Sequence, residues 1–208
     1  MKRHIFATAL CALIPVLGVS VALAGHESAP QGIQVMIATR APDPTKWNMS
    51  PAPDGTGRIF KCKAEACPAP ETVSFIFRKI PFKRPDPKAL KKFATVELPK
   101  AIRAAALART VMTGVVERIE TLSSKAATLK NYPSALNETK FTRNGVISIF
   151  LNTAVIFAGP LMIRIESTSS NRSVANKSLD DFIHTMQIVE MPLPPPRRTI
   201  PQPKTQSL

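Results

Sequence analysis

The sequence predicts an α+β fold: an antiparallel sheet flanked by helices, with a disulfide-clipped N-terminal hairpin and a disordered Pro-rich C-terminal tail. Three observations carry that prediction. Strand-like and helix-like runs are segregated along the chain, which argues α+β rather than alternating α/β. Turn signals at Pro51-Ala52-Pro53-Asp54-Gly55, Asn144-Gly145 and Ala158-Gly159-Pro160 cut the strand-like runs into hairpins. Beyond the first two dozen residues there are only two cysteines, Cys62 and Cys67, with four residues between them. There is no convincing internal repeat.

The N-terminus sets the compartment. Lys2 and Arg3 precede an apolar run from Ile5 to Val21 broken only by Thr8 and Ser20, and Ala22-Leu23-Ala24 is a small-x-small cleavage site. That order is the secretory signal-peptide pattern, residues 1–24. The competing reading is an uncleaved anchor, since about 20 apolar residues can span a bilayer. Pro15, Gly18 and the lack of a basic flank after the run argue against it. Cys11 follows the large Leu10, so it is not a lipoprotein acylation site. The expected product begins at Gly25, has no membrane span after cleavage, and is periplasmic or secreted.

Residues 25–45 are polar and Pro-containing and read as an extended leader, with a short strand at 33–37. A single domain is expected over 46–190. Its first hairpin pairs 58–61 with 72–77 around the cysteines. Export favours a disulfide. The C-x4-C spacing is not that of a C-x-x-C redox site, and a zinc site needs more ligands than His26 and His184 supply. A local Cys62–Cys67 clip remains, with a closure gain of about 2 kcal/mol for so short a loop.

Pro81 to Pro87 reads as a rigid linker. Asp86-Pro87 is an N-cap followed by proline at the first helical position, and predicts a helix to about Thr95. Pro99 breaks this helix or starts the next, because proline lacks the N–H and clashes with the preceding turn. Ala101–Arg109 is helical by propensity and Gly114 ends it. Strands follow at 115–130 and 134–143, interrupted by Tyr132-Pro133, then at 146–157 and 161–168. Val174, Leu179, Phe182, Ile183 and Met186 form one stripe of a last helix. Residues 191–208 hold six prolines in eighteen residues and read as a basic, polyproline-type tail. Pro192 to Arg197 fits an SH3-ligand pattern, but an exported chain has no cytosolic SH3 partner to meet.

The stretch AVIFAGPLMIRIESTS, continued by SLDDFIHTMQI, gives strand, glycine turn, strand and C-terminal helix. It resembles the close of PsbP/Mog1-like domains. The resemblance implies a curved antiparallel sheet flanked by helices, and an accessory or binding role rather than an enzymatic one. The whole mature chain also resembles uncharacterised exported proteins of alphaproteobacteria.

The chemistry-bearing inventory is sparse. His184 lies four residues after Asp180, a spacing more often a surface ion pair than a catalytic dyad. No Gly-x-Ser-x-Gly, Walker or His-Glu-x-x-His motif is present. Glu117 and Glu120 read as strand-edge charges, and the Asn-x-Ser/Thr sites at Asn48, Asn137, Asn171 and Asn176 as incidental. A cleaved Gly25-His26 terminus has the donors for Cu(II), but an incidental histidine is the simpler reading. The expectation is no cofactor, no metal site and no catalytic residue.

Charge is more informative. The chain has a formal net charge of +14. Within it, residues 78–109 hold ten basic residues against two acidic ones. Lys88, Lys91 and Lys92 fall at i, i+3 and i+4, and Lys100 and Arg103 at i, i+3. If the two helices pack side by side over the sheet, these five join Lys83 and Arg84 in one patch. Export and the scarcity of aromatic residues there, Phe82 and Phe93 alone, argue against nucleic acid. An anionic envelope component (lipid headgroup, lipopolysaccharide or acidic polysaccharide) or an acidic protein fits better. The sequence thus reads as an exported, non-catalytic accessory or binding protein of the bacterial envelope. A secreted factor acting on a host or neighbouring surface is the alternative, and an enzyme with an unrecognised site the third. The bland reading of the charge is solubility.

Overall fold

The computed structural model describes residues 33–80, 84–115 and 117–192. The stretch read as a signal peptide (1–24), Gly25 and His26, Lys83 and the residues after Pro192 lie outside the described residues.

Seven strands form one antiparallel sheet, built from two meanders. The first is β2 (Trp47–Pro51), β3 (Gly57–Cys62) and β4 (Glu71–Lys79). The second is β5 (Glu117–Leu129), β6 (Tyr132–Arg143), β7 (Ile147–Ala158) and β8 (Leu161–Ser169). Pairing of β4 with β8 joins them, with Phe75 opposite Ile165 and Glu71 opposite Ser169. The order across the sheet is β2-β3-β4-β8-β7-β6-β5. A separate ribbon pairs β1 (Ile33–Ala38) with β9 (Gln187–Pro192).

Both faces of the sheet are covered. α1 (Pro87–Lys92) and α2 (Leu98–Thr113) lie over β5 and β6. Leu90, Ala94, Leu98, Ile102 and Ala106 meet Ala135, Phe141, Val155 and Phe157 there. α3 (Arg172–Thr185) and the β1–β9 ribbon cover the other face. On that side Leu179, Phe182, Ile183 and Met186 pack on Phe60, Phe75, Ile156 and Ile165. Phe182 is the hub, with Trp47 edge-on at 4.9 Å and Phe60 at 4.9 Å. Residues 152–158 of β7 are all buried. Two covered faces explain why residues 154–158 are a continuous apolar run without alternation. Among the described residues no helix is long and apolar enough to cross a membrane.

The Asn144-Gly145 turn forms as expected, with both residues at positive φ (50° and 71°) and the Val146 N–H donating to the Arg143 carbonyl. The β5–β6 turn does not fall at Tyr132-Pro133. It is Lys130-Asn131, at φ 52° and 67°, and Tyr132 and Pro133 open β6 opposite Leu129 and Thr128. Pro133 is tolerated because pairing of β6 with β7 begins only at Ser134, so no partner strand calls on its missing N–H. Gly57 is required by close packing: a Cβ there would sit 1.8 Å from the Phe75 carbonyl oxygen.

Candidate anionic-partner surface

The basic segment is not a pair of helices lying side by side. Backbone torsions at Lys92, Phe93, Glu97 and Leu98 are all right-handed helical, so α1 and α2 are consecutive parts of one rod. Between them, Phe93–Glu97 form a π turn in which the Leu98 N–H donates to the Phe93 carbonyl. Pro99 accounts for the turn: it has no N–H to donate, and its ring would crowd the Thr95 carbonyl of an ordinary helix.

The start of the rod is as the sequence indicates. The Asp86 carboxylate caps it, accepting from the Ala89 N–H at 2.7 Å, and Pro87 follows. Gly114, at φ 68°, ends it in the left-handed region.

In the π turn, Pro99 cannot serve the Ala94 carbonyl, and the Leu98 N–H is already committed to Phe93. The Ser124 hydroxyl of β5 donates to the Ala94 carbonyl instead, at 2.5 Å. Behind it, the Asn137 side-chain amide donates to Ser124 Oγ at 3.1 Å, and the Thr139 hydroxyl to Asn137 Oδ1 at 2.7 Å. Asn137 and Thr139 are buried. This polar chain ties the turn to the sheet and satisfies groups that are costly to bury unpaired.

The turn also sets which charges share a face. Each helical residue advances about 100°, so Lys88 and Lys100, twelve apart, would point about 120° from each other in an uninterrupted helix. The same holds for Lys91 and Arg103. A π turn takes up one additional residue, which brings each pair to within about 20°. The core side confirms the phase: Leu90 and Leu98, eight apart, are both buried against the sheet. Lys88, Lys91, Lys92, Lys100 and Arg103 are all exposed. Among the described residues none of the five side chains joins an ion pair or a hydrogen bond.

Arg84 is exposed in the segment before α1. Burial and Glu190 raise the Tyr132 phenol, and Arg84 opposes them. Arg109 is turned away from the stripe, its guanidinium 5.5 Å from the centre of the Phe141 ring. A shallow groove runs between α2 and β5, with Val96, Lys100, Arg103 and Leu107 on its helical wall.

The Cys62–Cys67 disulfide is formed, with Cα atoms 6.1 Å apart. It closes the loop between β3 and β4. Beside it lies Glu71, missed in the sequence reading because a carboxylate opening a strand reads as surface. Glu71 is 7% exposed, with Oε2 4.0 Å from Cys67 Sγ. The two sulfurs and the carboxylate lie within 4.8 Å of one another. The sulfurs are spent on each other, so no thiolate is left as a metal ligand. Burial first, then the nearby Asp181, push the Glu71 carboxyl up to about 7, against the weaker pull of Lys177. His184 and Asp180 are both exposed. The His184 backbone carbonyl accepts from Lys130 Nζ at 2.8 Å.

No family model matches the chain, and no curated protein matches it in sequence. Among solved structures it is similar to cyanobacterial PsbP (CyanoP) from Synechocystis, at 12% identity and TM-score 0.53, over 80% of this chain and 98% of that one. The likeness is one of fold. The PsbP/Mog1-type resemblance read from the last strands and helix is met at that level. Two looser overlaps are with LpqN of Mycobacterium tuberculosis, described as involved in cell envelope biogenesis, and the Ran-binding protein Mog1p of Saccharomyces cerevisiae. The first has 16% identity and TM-score 0.48, over 77% of this chain and 86% of that one. The second has 9% identity and TM-score 0.34, over 68% and 94%.

Proposed function

We propose that this chain is an exported, non-catalytic accessory or binding protein of the bacterial cell envelope, periplasmic or secreted, which docks through the α1–α2 rod on an anionic partner. The observation that carries the reading is that Lys88, Lys91, Lys92, Lys100 and Arg103 are all exposed and share one side of the rod, distinct from its buried side. Charges kept only for solubility need no common face, whereas a docking face does. The non-catalytic part is supported by a thin inventory. Among the described residues the one histidine is exposed and the two cysteines are joined.

The test is binding of the exported protein to anionic phospholipid vesicles, lipopolysaccharide and acidic polysaccharide as salt is varied. Each cation near a charged surface contributes about 1 kcal/mol at most, and the Debye length is about 8 Å at physiological salt. Reversal of Lys88, Lys91 and Lys92 to glutamate removes up to about 3 kcal/mol of attraction, up to roughly a hundredfold in affinity, and adds repulsion on top. Reversal of Arg197 and Arg198 in the tail is the control and should matter less. A wild type that shows no salt-dependent binding to any of these leaves the charge as a solubility device.

A further inference from the structure

The outward face of the rod is not purely basic. Val96, Leu107 and Val111 are 51%, 59% and 86% exposed. Leu107 and Val111 are four apart, and Leu107 lies four residues beyond Arg103. At about 100° per residue, Lys100, Arg103, Leu107 and Val111 fall within an arc of about 80°. The buried Leu98, Ile102 and Ala106 occupy the opposite side. Along one stripe the cationic side chains thus pass directly into apolar ones, and the groove beside β5 adds Val96 next to Lys100. The turn between β6 and β7 adds Val146, 84% exposed, at the same end of the sheet as the end of α2, since Glu117 pairs with Arg143.

Resting on the docking reading above, we infer that the anionic partner is a phospholipid bilayer surface. α2 lies in the plane of the interface, with Leu107, Val111 and Val96 in the boundary between headgroups and acyl chains. Lys100 and Arg103 reach the phosphates. The charge pattern selects this occupant. A hydrophilic polyanion offers nothing to three exposed aliphatic side chains, which cost free energy in water. A second copy of the chain would bring Lys100 and Arg103 against their own equivalents. A bilayer of anionic lipid offers phosphate and hydrocarbon within one side-chain length, which adjoining cations with long apolar stems and short aliphatic residues match. The π turn then has a role: it places Lys88, Lys91 and Lys92 on the same plane, so that the whole rod lies flat.

The experiment separates the electrostatic and apolar parts. The exported protein is titrated with vesicles of phosphatidylglycerol and phosphatidylethanolamine, at low and at physiological salt, as wild type, as Leu107→Ser/Val111→Ser and as Lys100→Glu/Arg103→Glu. Thermal melting checks that each variant folds, since all four side chains are exposed. The wild type should keep measurable binding at physiological salt. The serine variant should bind nearly as well at low salt and at least tenfold more weakly at physiological salt, because apolar insertion is not screened by ions. A fluorophore at position 107 should be quenched by lipids carrying a quencher near the headgroup. The inference is overturned, with the docking reading intact, if the serine variant binds as the wild type does at both salts. It is overturned in the same way if lipopolysaccharide or acidic polysaccharide binds while phospholipid vesicles do not. Absence of binding to every anionic surface overturns both.

Discussion

Replacing Glu71 by glutamine tests the buried carboxyl beside the disulfide. Glu71 opens β4 opposite Ser169, under α3, where Asp181 and Lys177 are its charged neighbours. Its Oε1 has no hydrogen-bond partner among the described residues, and the neighbouring Cys67 sulfur, being in a disulfide, has no proton to donate. The folded carboxyl titrates at about 7, against 4.5 for an unburied glutamate. Below pH 4.5 both folded and unfolded chains carry the proton, and stability from this group is fully present. Between 4.5 and 7 the unfolded chain loses the proton that the folded one keeps, so stability falls by about 1.4 kcal/mol per pH unit. Above about 7 the loss levels off, at a total on the order of 3 kcal/mol. Glutamine fits the same space without ionising. Urea unfolding of wild type and Glu71→Gln from pH 4.5 to 8 should show converging curves at the acid end. At pH 8 the variant should be the more stable. Glu138 does not confuse the window: its ion pair with Arg172 holds its carboxyl low, so its contribution is lost only as pH falls. A wild type whose stability follows that of the variant across this range would refute the buried-charge argument.

Other expectations are simpler. Mass spectrometry of the exported protein should find Gly25 at its N-terminus; retention of residues 1–24 in a membrane fraction would favour an anchor. Non-reducing peptide mapping should recover Cys62 joined to Cys67, and Cys62→Ser should cost about 2 kcal/mol while leaving the sheet folded. Ser124→Ala removes the donor to the Ala94 carbonyl and strands Asn137. It should destabilise by about 1–3 kcal/mol and speed amide hydrogen exchange around residues 94–99 before other parts of the rod.

What could be read in the sequence was local. Asp86-Pro87 caps a helix by its own chemistry, Asn144-Gly145 turns because both residues accept positive φ, and Leu179, Phe182 and Ile183 need one buried helix face, although Met186, read with them, lies just past the helix in extended backbone. Features that depend on distant partners were not legible. The Lys130-Asn131 turn was hidden by Tyr132-Pro133, which reads as punctuation until the register of β7 shows that Pro133 has no strand to serve. The π turn was hidden because its support is the Ser124 hydroxyl, thirty residues on and on another element. The five charges were visible as residues, but their common face followed from that turn. β2 and β9, short and largely exposed, carry no alternation to find. Glu71 looks like any surface glutamate until β8 and α3 close over it.

The pairing of β1 with β9 puts Ile33 directly opposite Pro192. Two described residues 159 positions apart in the chain are therefore laced together at one point, as through a single eyelet. That point belongs to the layer of α3, across the sheet from the basic rod. A molecule lying on a surface by α1 and α2 would turn this ribbon to its free side, and a pull applied at Ile33 would be borne first by β9.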